Sequence, residues 1–228
     1  MQMTTSVEAE VPTNTGTSAP GDSPERRTAP RYSLVVVAIA LVVGLLAGYA
    51  GGWITPTLTR PGEGSPEVGF ARDMSAHHAQ AVEMGLIAFR NATDPDTQQI
   101  GIDIAAAQQG EIGTMQTWLR FWDVAPSGPQ APMAWMPDGA EAMRDRGNLM
   151  PGMATPEQMA ELRTATGIQV DLLFIKLMRD HHLGGIHMAD AIIDMTDDPE
   201  VIAVATTMKN TQQTEIANFN VLEKRLTS

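Results

Sequence analysis

The spacing of apolar and polar positions changes character several times along the chain. Residues 1 to 30 hold almost no large apolar side chains and are rich in Thr, Ser, Pro and Glu. A segment of that kind cannot bury enough surface to offset its chain entropy and is expected to be disordered. From Ser33 to Ile54 no residue carries a charge. A helix rising about 1.5 Å per residue over that length just spans a hydrocarbon core of roughly 30 Å. Beyond residue 65 the apolar positions recur at helical spacing, with a polar face opposite. Residues 123 to 155, rich in Pro, Gly and Met, interrupt this periodicity and mark a long connection rather than a tight turn. The expected organisation is a polar tail (1–32), a transmembrane helix (33–55), a linker (56–64) and a helical domain (65–228).

The helical part repeats itself. Residues 70–122 align without a gap to 174–226 at a constant offset of 104: Phe70 with Phe174, Met74 with Met178, His77-His78 with His181-His182, Met84 with Met188, and Asp94-Pro95 with Asp198-Pro199. The alignment continues through Gln108-Gln109-x-Glu111-Ile112 and Gln212-Gln213-x-Glu215-Ile216. Each unit reads as helix, turn, helix, with Asp as N-cap and Pro at the first helical position of the second helix. Two such hairpins can bury their apolar stripes only against each other, which predicts an all-α four-helix bundle built from a duplicated hairpin. The connection, 123–173, should also hold a short helix opened by the capping box Thr155-Pro156-Glu157-Gln158.

The five histidines of the chain fall at matching places in the two repeats. On a wheel of about 100° per residue, Met74, His77, His78, Ala81 and Met84 share one stripe, as do Met178, His181, His182, Gly185 and Met188. Small residues at 81, 85 and 185 are expected to leave room beside the imidazoles. Glu111 falls in the stripe made by Ile100, Ile104, Ala107, Met115 and Trp118, and Glu215 among Met208, Phe219 and Leu222. A carboxylate on an apolar face is costly unless paired or ligated. Folding each hairpin about its Asp-Pro turn brings 77 level with 111 and 181 level with 215, so each His pair should meet a Glu. His187 lies about 180° from Met178 and is expected on the outer surface.

Composition narrows the chemistry. With 43% hydrophobic residues and 5% aromatics, the core should be aliphatic and helical. The absence of cysteine excludes disulfides, thiolate metal sites and thiol nucleophiles. A net charge of −12 argues against nucleic acid as a partner. Residues 1–60 hold four basic and four acidic side chains, so the whole excess belongs to 61–228. Arg26, Arg27 and Arg31 precede the apolar run and only Arg60 closely follows it, which places the N-terminus in the cytoplasm and the domain outside. The competing expectation is a signal peptide cleaved after Gly48-Tyr49-Ala50, giving a secreted domain.

Imidazole suits copper, zinc, iron and nickel, whereas thioether sulfur selects soft ions, above all Cu(I). Met133-x-x-Met136 and Met150-x-x-Met153 add thioethers in the proline-rich connection, where a core role is not expected. The expected ligands are His77, His78, His181, His182, Met74, Met84, Met178 and Met188, with Glu111 and Glu215 as ligands or as groups orienting the imidazoles. Copper sequestration or handover is the leading expectation. A metal-free module in which His–Glu pairs fix bundle packing is the alternative. A di-iron oxidase is a third: such sites need Glu-x-x-His on two helices, and none accompanies His77 or His181. No catalytic triad or phosphate loop is present, so enzymatic activity is not expected. The expected partners are a lipid bilayer through 33–55 and a metal ion, and homo-oligomerisation is compatible with the sequence.

The run Asp171-x-x-Phe174-x-x-x-Met178-x-x-His181-His182-x-x-x-Ile186-x-Met188-Ala189, with Asn148-Leu-Met-Pro-Gly-Met153 through Glu161-Leu162 before it, resembles a bacterial family, the domain of unknown function 305 family. The resemblance covers about residues 65–226. The first repeat departs from it at Glu67, where Asp is usual, and at Gly85, where Ala is usual. The resemblance implies a ferritin-like four-helix fold, an extracytoplasmic location and, for some members, copper binding or tolerance.

Overall fold

The computed structural model describes residues 32–144 and 147–228, with backbone alone for 53–59. The polar tail, apart from Tyr32, and the three arginines before the apolar run lie outside the described residues. Among the described residues there are seven helices and no strand: α1 (Leu34–Thr59), α2 (Pro66–Asn91), α3 (Pro95–Phe121), α4 (Gly139–Arg144), α5 (Pro156–Thr164), α6 (Ile168–Met195) and α7 (Pro199–Leu226). They form two compact units that divide at residue 54.

The first unit holds α1 as far as residue 54. Its stretch Leu34–Gly52 has a mean hydropathy of 2.5 and no buried residue. The helix runs on past the expected end at 55 to Thr59.

In the second unit α2 pairs with α3 and α6 with α7, and α2 packs against α6. The hairpin turns form as expected. Asp94 accepts from the amides of Asp96 and Thr97, and Asp198 from those of Glu200 and Val201, with Pro95 and Pro199 at the first helical positions. Each cap satisfies amides that the helix cannot. Thr155 and Gln158 form the expected capping box on α5. Each repeat also holds the turn of the other. Buried Asp171, near the start of α6, accepts from the Thr93 amide and hydroxyl (3.0 and 2.8 Å) and from the Asp94 amide (3.0 Å). Glu67, near the start of α2, accepts from the Thr196 hydroxyl at 2.6 Å.

The interior has two apolar layers. One gathers Phe70, Met74, Met115, Trp118, Met188, Val201 and Met208; the other gathers Ala81, Met84, Ile104, Phe174, Met178 and Phe219. The connection corrects an expectation. Met133, Met136 and Met150 are buried and complete the first layer, because 131–137 and 148–154 lie over the bundle and their flexible thioethers fill the irregular space beneath. Trp135 is buried there too, set edge-on to Phe70. Its indole N–H donates to Asp73 Oδ2 at 2.9 Å, as does the Met133 amide at 2.7 Å.

Candidate metal centre

Between the two apolar layers lies a row of four buried imidazoles. On α2 the first layer ends at Met74 and the second begins at Ala81; on α6 the second ends at Met178 and the first resumes at Met188. His77 and His181 meet across the α2–α6 interface with ring centroids 3.8 Å apart and planes inclined by 31°. His78 lies 6.4 Å beyond His77, and His182 lies 6.4 Å beyond His181.

Every ring is anchored through Nε2. His78 donates to Glu111 Oε2 at 2.7 Å and His182 to Glu215 Oε2 at 2.6 Å. His77 donates to the Pro151 carbonyl at 2.9 Å, and His181 to the His77 carbonyl at 3.0 Å. Carbonyl and carboxylate oxygens can only accept here, so the network assigns the proton to Nε2 in all four rings. The lone pair is then on Nδ1, and all four Nδ1 atoms are buried without a hydrogen-bond partner. Leaving a buried acceptor unpaired costs about 1–3 kcal/mol.

Burial holds the two facing rings, His77 and His181, neutral. Desolvation, with repulsion from the His78 and His182 imidazoles, pushes His77 down to about 3 despite its bond to Pro151. His181 is driven well below the ordinary histidine range by burial first, then by His77, His182 and His78. A neutral imidazole with a free Nδ1 lone pair is the form that ligates a metal, and an oxygen on its other nitrogen is the usual way to orient such a ligand.

Two expected placements shift. Each histidine pair meets its glutamate as expected, but through His78 and His182, one residue along from the positions expected to be level. Glu111 and Glu215 also stand at the margins of their stripes, with side-chain exposures of 24% and 20%. The α3 stripe is made by Gly101, Ile104, Ala105, Gln108, Ile112 and Met115, while Ala107 is exposed. The glutamates therefore reach inward from a half-wet position, which lowers the cost of their charge.

The expected ligands do not close into one cluster. Met74 and Met188 belong to the first apolar layer, and Met84 and Met178 to the second. All four are buried. Among the described residues no three His, Asp or Glu side chains converge tightly enough to hold an ion by themselves. This is not the carboxylate-rich arrangement of a di-iron centre, so an ion at the row would need thioether donors. His187 is about half exposed, as expected, and its Nε2 lies 3.2 Å from Asp138 Oδ2.

A family model for a domain of unknown function, DUF305, matches residues 67–222. The chain belongs to the DUF305 family. A DUF305 protein from Streptomyces coelicolor is 34% identical, with a TM-score of 0.66 over 73% of this chain and 97% of that one. A DUF305 fragment from Deinococcus radiodurans is 28% identical, with a TM-score of 0.59 over 70% of this chain and 96% of that one. CopM in its Cu(I)-bound form is 23% identical over 70% of this chain and 96% of that one, with a TM-score of 0.54, and shares the fold. No curated protein matches the chain.

The DUF305 segment Met150-Pro151-Gly152-Met153 has a part in the site that side-chain pattern did not disclose. Its contribution is a backbone carbonyl, that of Pro151. Gln80 locks the segment, donating to the Ala154 carbonyl at 2.9 Å and accepting from the Ala154 amide at 2.7 Å. Gly184 lets it approach, since a Cβ there would strike the Pro151 carbonyl. Gly152, at φ +79°, sits against the backbone of Asp180 and His181 with no room for a side chain. The small residues expected beside the imidazoles serve other ends. Gly85 allows α2 to approach the Gly101 carbonyl of α3, and Gly185 accommodates the Gln212 amide. Buried Gln108 and Gln212 were also missed, although both stand in the duplicated motif. Both amide atoms of Gln108 and the Oε1 of Gln212 are without a partner.

Proposed function

We propose that this DUF305 protein binds copper as Cu(I), outside the cytoplasm and anchored to the membrane by α1, and holds it for sequestration or handover. The observation that carries this reading is the row of imidazoles anchored at Nε2 with four buried, unpartnered Nδ1 lone pairs. A network that served packing alone would have no reason to leave one nitrogen of every ring unpaired. His77, His78, His181 and His182 would supply nitrogen, and Met74, Met188, Met84 and Met178 sulfur from the flanking layers. Glu111 and Glu215 orient His78 and His182. This donor set fits a soft ion better than iron or zinc. Relatedness to CopM, solved with Cu(I), Cu(II) and silver bound, supports the same choice, and the role requires no catalytic step.

The two His–Glu bonds also favour a second reading, in which the row only fixes helix packing. One experiment separates the two: competition of the purified full chain, in detergent, against a Cu(I) chelator of modest affinity. Retention by the wild type and loss in a variant with all four row histidines changed to alanine supports copper binding. Equal failure of both proteins leaves the packing role. For α1, full hydropathic exposure over Leu34–Gly52 supports a span, and a mature N-terminus near Gly51 would replace the anchor by a cleaved signal.

A further inference from the structure

A cleft of about 430 Å³ opens on the far side of the Pro151–Gly152 segment from the imidazole row. Its walls are Pro151, Gly152, Met153, Asp180, Gly184 and His187. A single peptide thickness separates it from the row. Pro151 lines the cleft while its carbonyl receives the His77 Nε2 proton, and Gly152, also in the wall, rests on the backbone of His181.

His187 is exposed, with one ring nitrogen facing a carboxylate. Its Nε2 lies against a carboxylate oxygen, that of Asp138, at 3.2 Å. Nδ1 is thereby the nitrogen left for another ligand. The cleft is also lined by Met153, which is only partly buried and packs on one side against the first apolar layer. An imidazole and a thioether on one cleft wall are a soft-ion donor pair. Asp138 adds negative charge beside His187, within a domain of strongly acidic balance, while the Asp180 carboxylate is taken up by Lys176. Nothing in the packing of the bundle calls for a half-exposed histidine here: a surface His–Asp pair of this exposure adds little stability.

We propose that His187 and Met153 form an outer site for a soft monovalent cation, at which ions exchange between the medium or a partner and the buried row. The proposal rests on the copper reading above only for what lies beyond the wall; the outer site binds on its own chemistry.

The test uses Ag(I), which cannot change oxidation state under these conditions, added to the full chain in detergent and followed by NMR of labelled histidine rings and methionine methyls. At substoichiometric Ag(I) the His187 Nδ1 and Met153 methyl signals shift, and the row signals follow. In the double variant His187→Ala, Met153→Leu, the row fills to the same final level but about tenfold more slowly, the scale on which loss of a ligand-supporting contact weakens a metal site. Silent His187 and Met153 signals, or an unchanged loading rate in the double variant, overturn the proposal. Shifts at His187 and Met153 with a silent row would overturn metal binding at the row and with it the exchange role, leaving the outer pair as a binding site alone.

Discussion

Position 80 in the first repeat is glutamine and its counterpart 184 in the second is glycine, and both serve one loop. Gln80 clasps Ala154 by two hydrogen bonds, while Gly184 gives way so that Pro151 can lie on α6. The outward positions 83 and 187 differ in the same way, Glu83 pairing with Arg163 of α5 and His187 with Asp138 beside α4. Inside, by contrast, the repeats are nearly identical: each second histidine meets its glutamate at 2.6–2.7 Å. The difference within the row falls at the first histidines. His181 donates to the carbonyl of His77, and strict two-fold symmetry would have His77 donate to the carbonyl of His181. The connection occupies that place and offers Pro151 instead. Duplication thus made the donor row, and the single-copy connection made its two central rings unequal.

The acid limb of stability tests how equal the buried halves are. Burial depresses His77 to about 3 and His181 well below its usual range, so below about pH 6.5 the unfolded chain binds protons that the folded chain refuses. Stability is complete above that pH and falls as pH drops, by about 1.4 kcal/mol per pH unit for each ring. Urea unfolding should therefore show a loss of about 3 kcal/mol between pH 6.5 and 5 from the two rings together. His77→Gln and His181→Gln should each remove about half of it. Strongly unequal shares would show that the loop carbonyl outweighs burial.

Smaller perturbations address the loop. Gly184→Val places side-chain atoms in the Pro151 backbone and should cost about 3 kcal/mol, lowering the melting temperature by roughly 10 °C. Gln80→Ala removes both bonds to Ala154 and should cost about 2 kcal/mol. A neutral result for both would mean that the loop does not dock on the row. Glu111→Ala and Glu215→Ala should destabilise equally, by about 1.5–3 kcal/mol each, because each strips an oxygen from an identical ring. A clear inequality in calorimetry would break the internal symmetry. Least affected should be Glu83→Ala and His187→Ala, each within about 0.5 kcal/mol, as exposed ion pairs contribute little.

The duplication, the Asp-Pro caps, the capping box and the inward histidine stripes were legible because each depends on local spacing or on short-range hydrogen bonds. Each histidine pair meets its glutamate as the spacing predicts, through the member one residue beyond the expected level. A hairpin's fold axis is known from sequence only to about a residue, and one residue turns a helix by about 100°. Glu111 was placed in mid-stripe for a related reason: Ile100 and Ala107 count as apolar in a pattern, yet Gln108 takes the buried place. The connection was least legible. Its two Met-x-x-Met pairs belong to no sustained helical period, so nothing in their spacing announces that Met133 and Met150 are buried. Pro151 acts through a carbonyl that every residue possesses.

The crossed ties at the turns have one more consequence. Asp171 of the second repeat holds the Thr93–Asp94 turn of the first, and Glu67 of the first holds Thr196 of the second. Each hairpin begins by grasping the far end of the other, and His77 and His181 face each other midway. A lone hairpin with these features would find in its own twin a complement for every one of them. The bundle is in this sense a homodimer contained in one polypeptide, and the connection that joins its halves is also what gave them separate tasks.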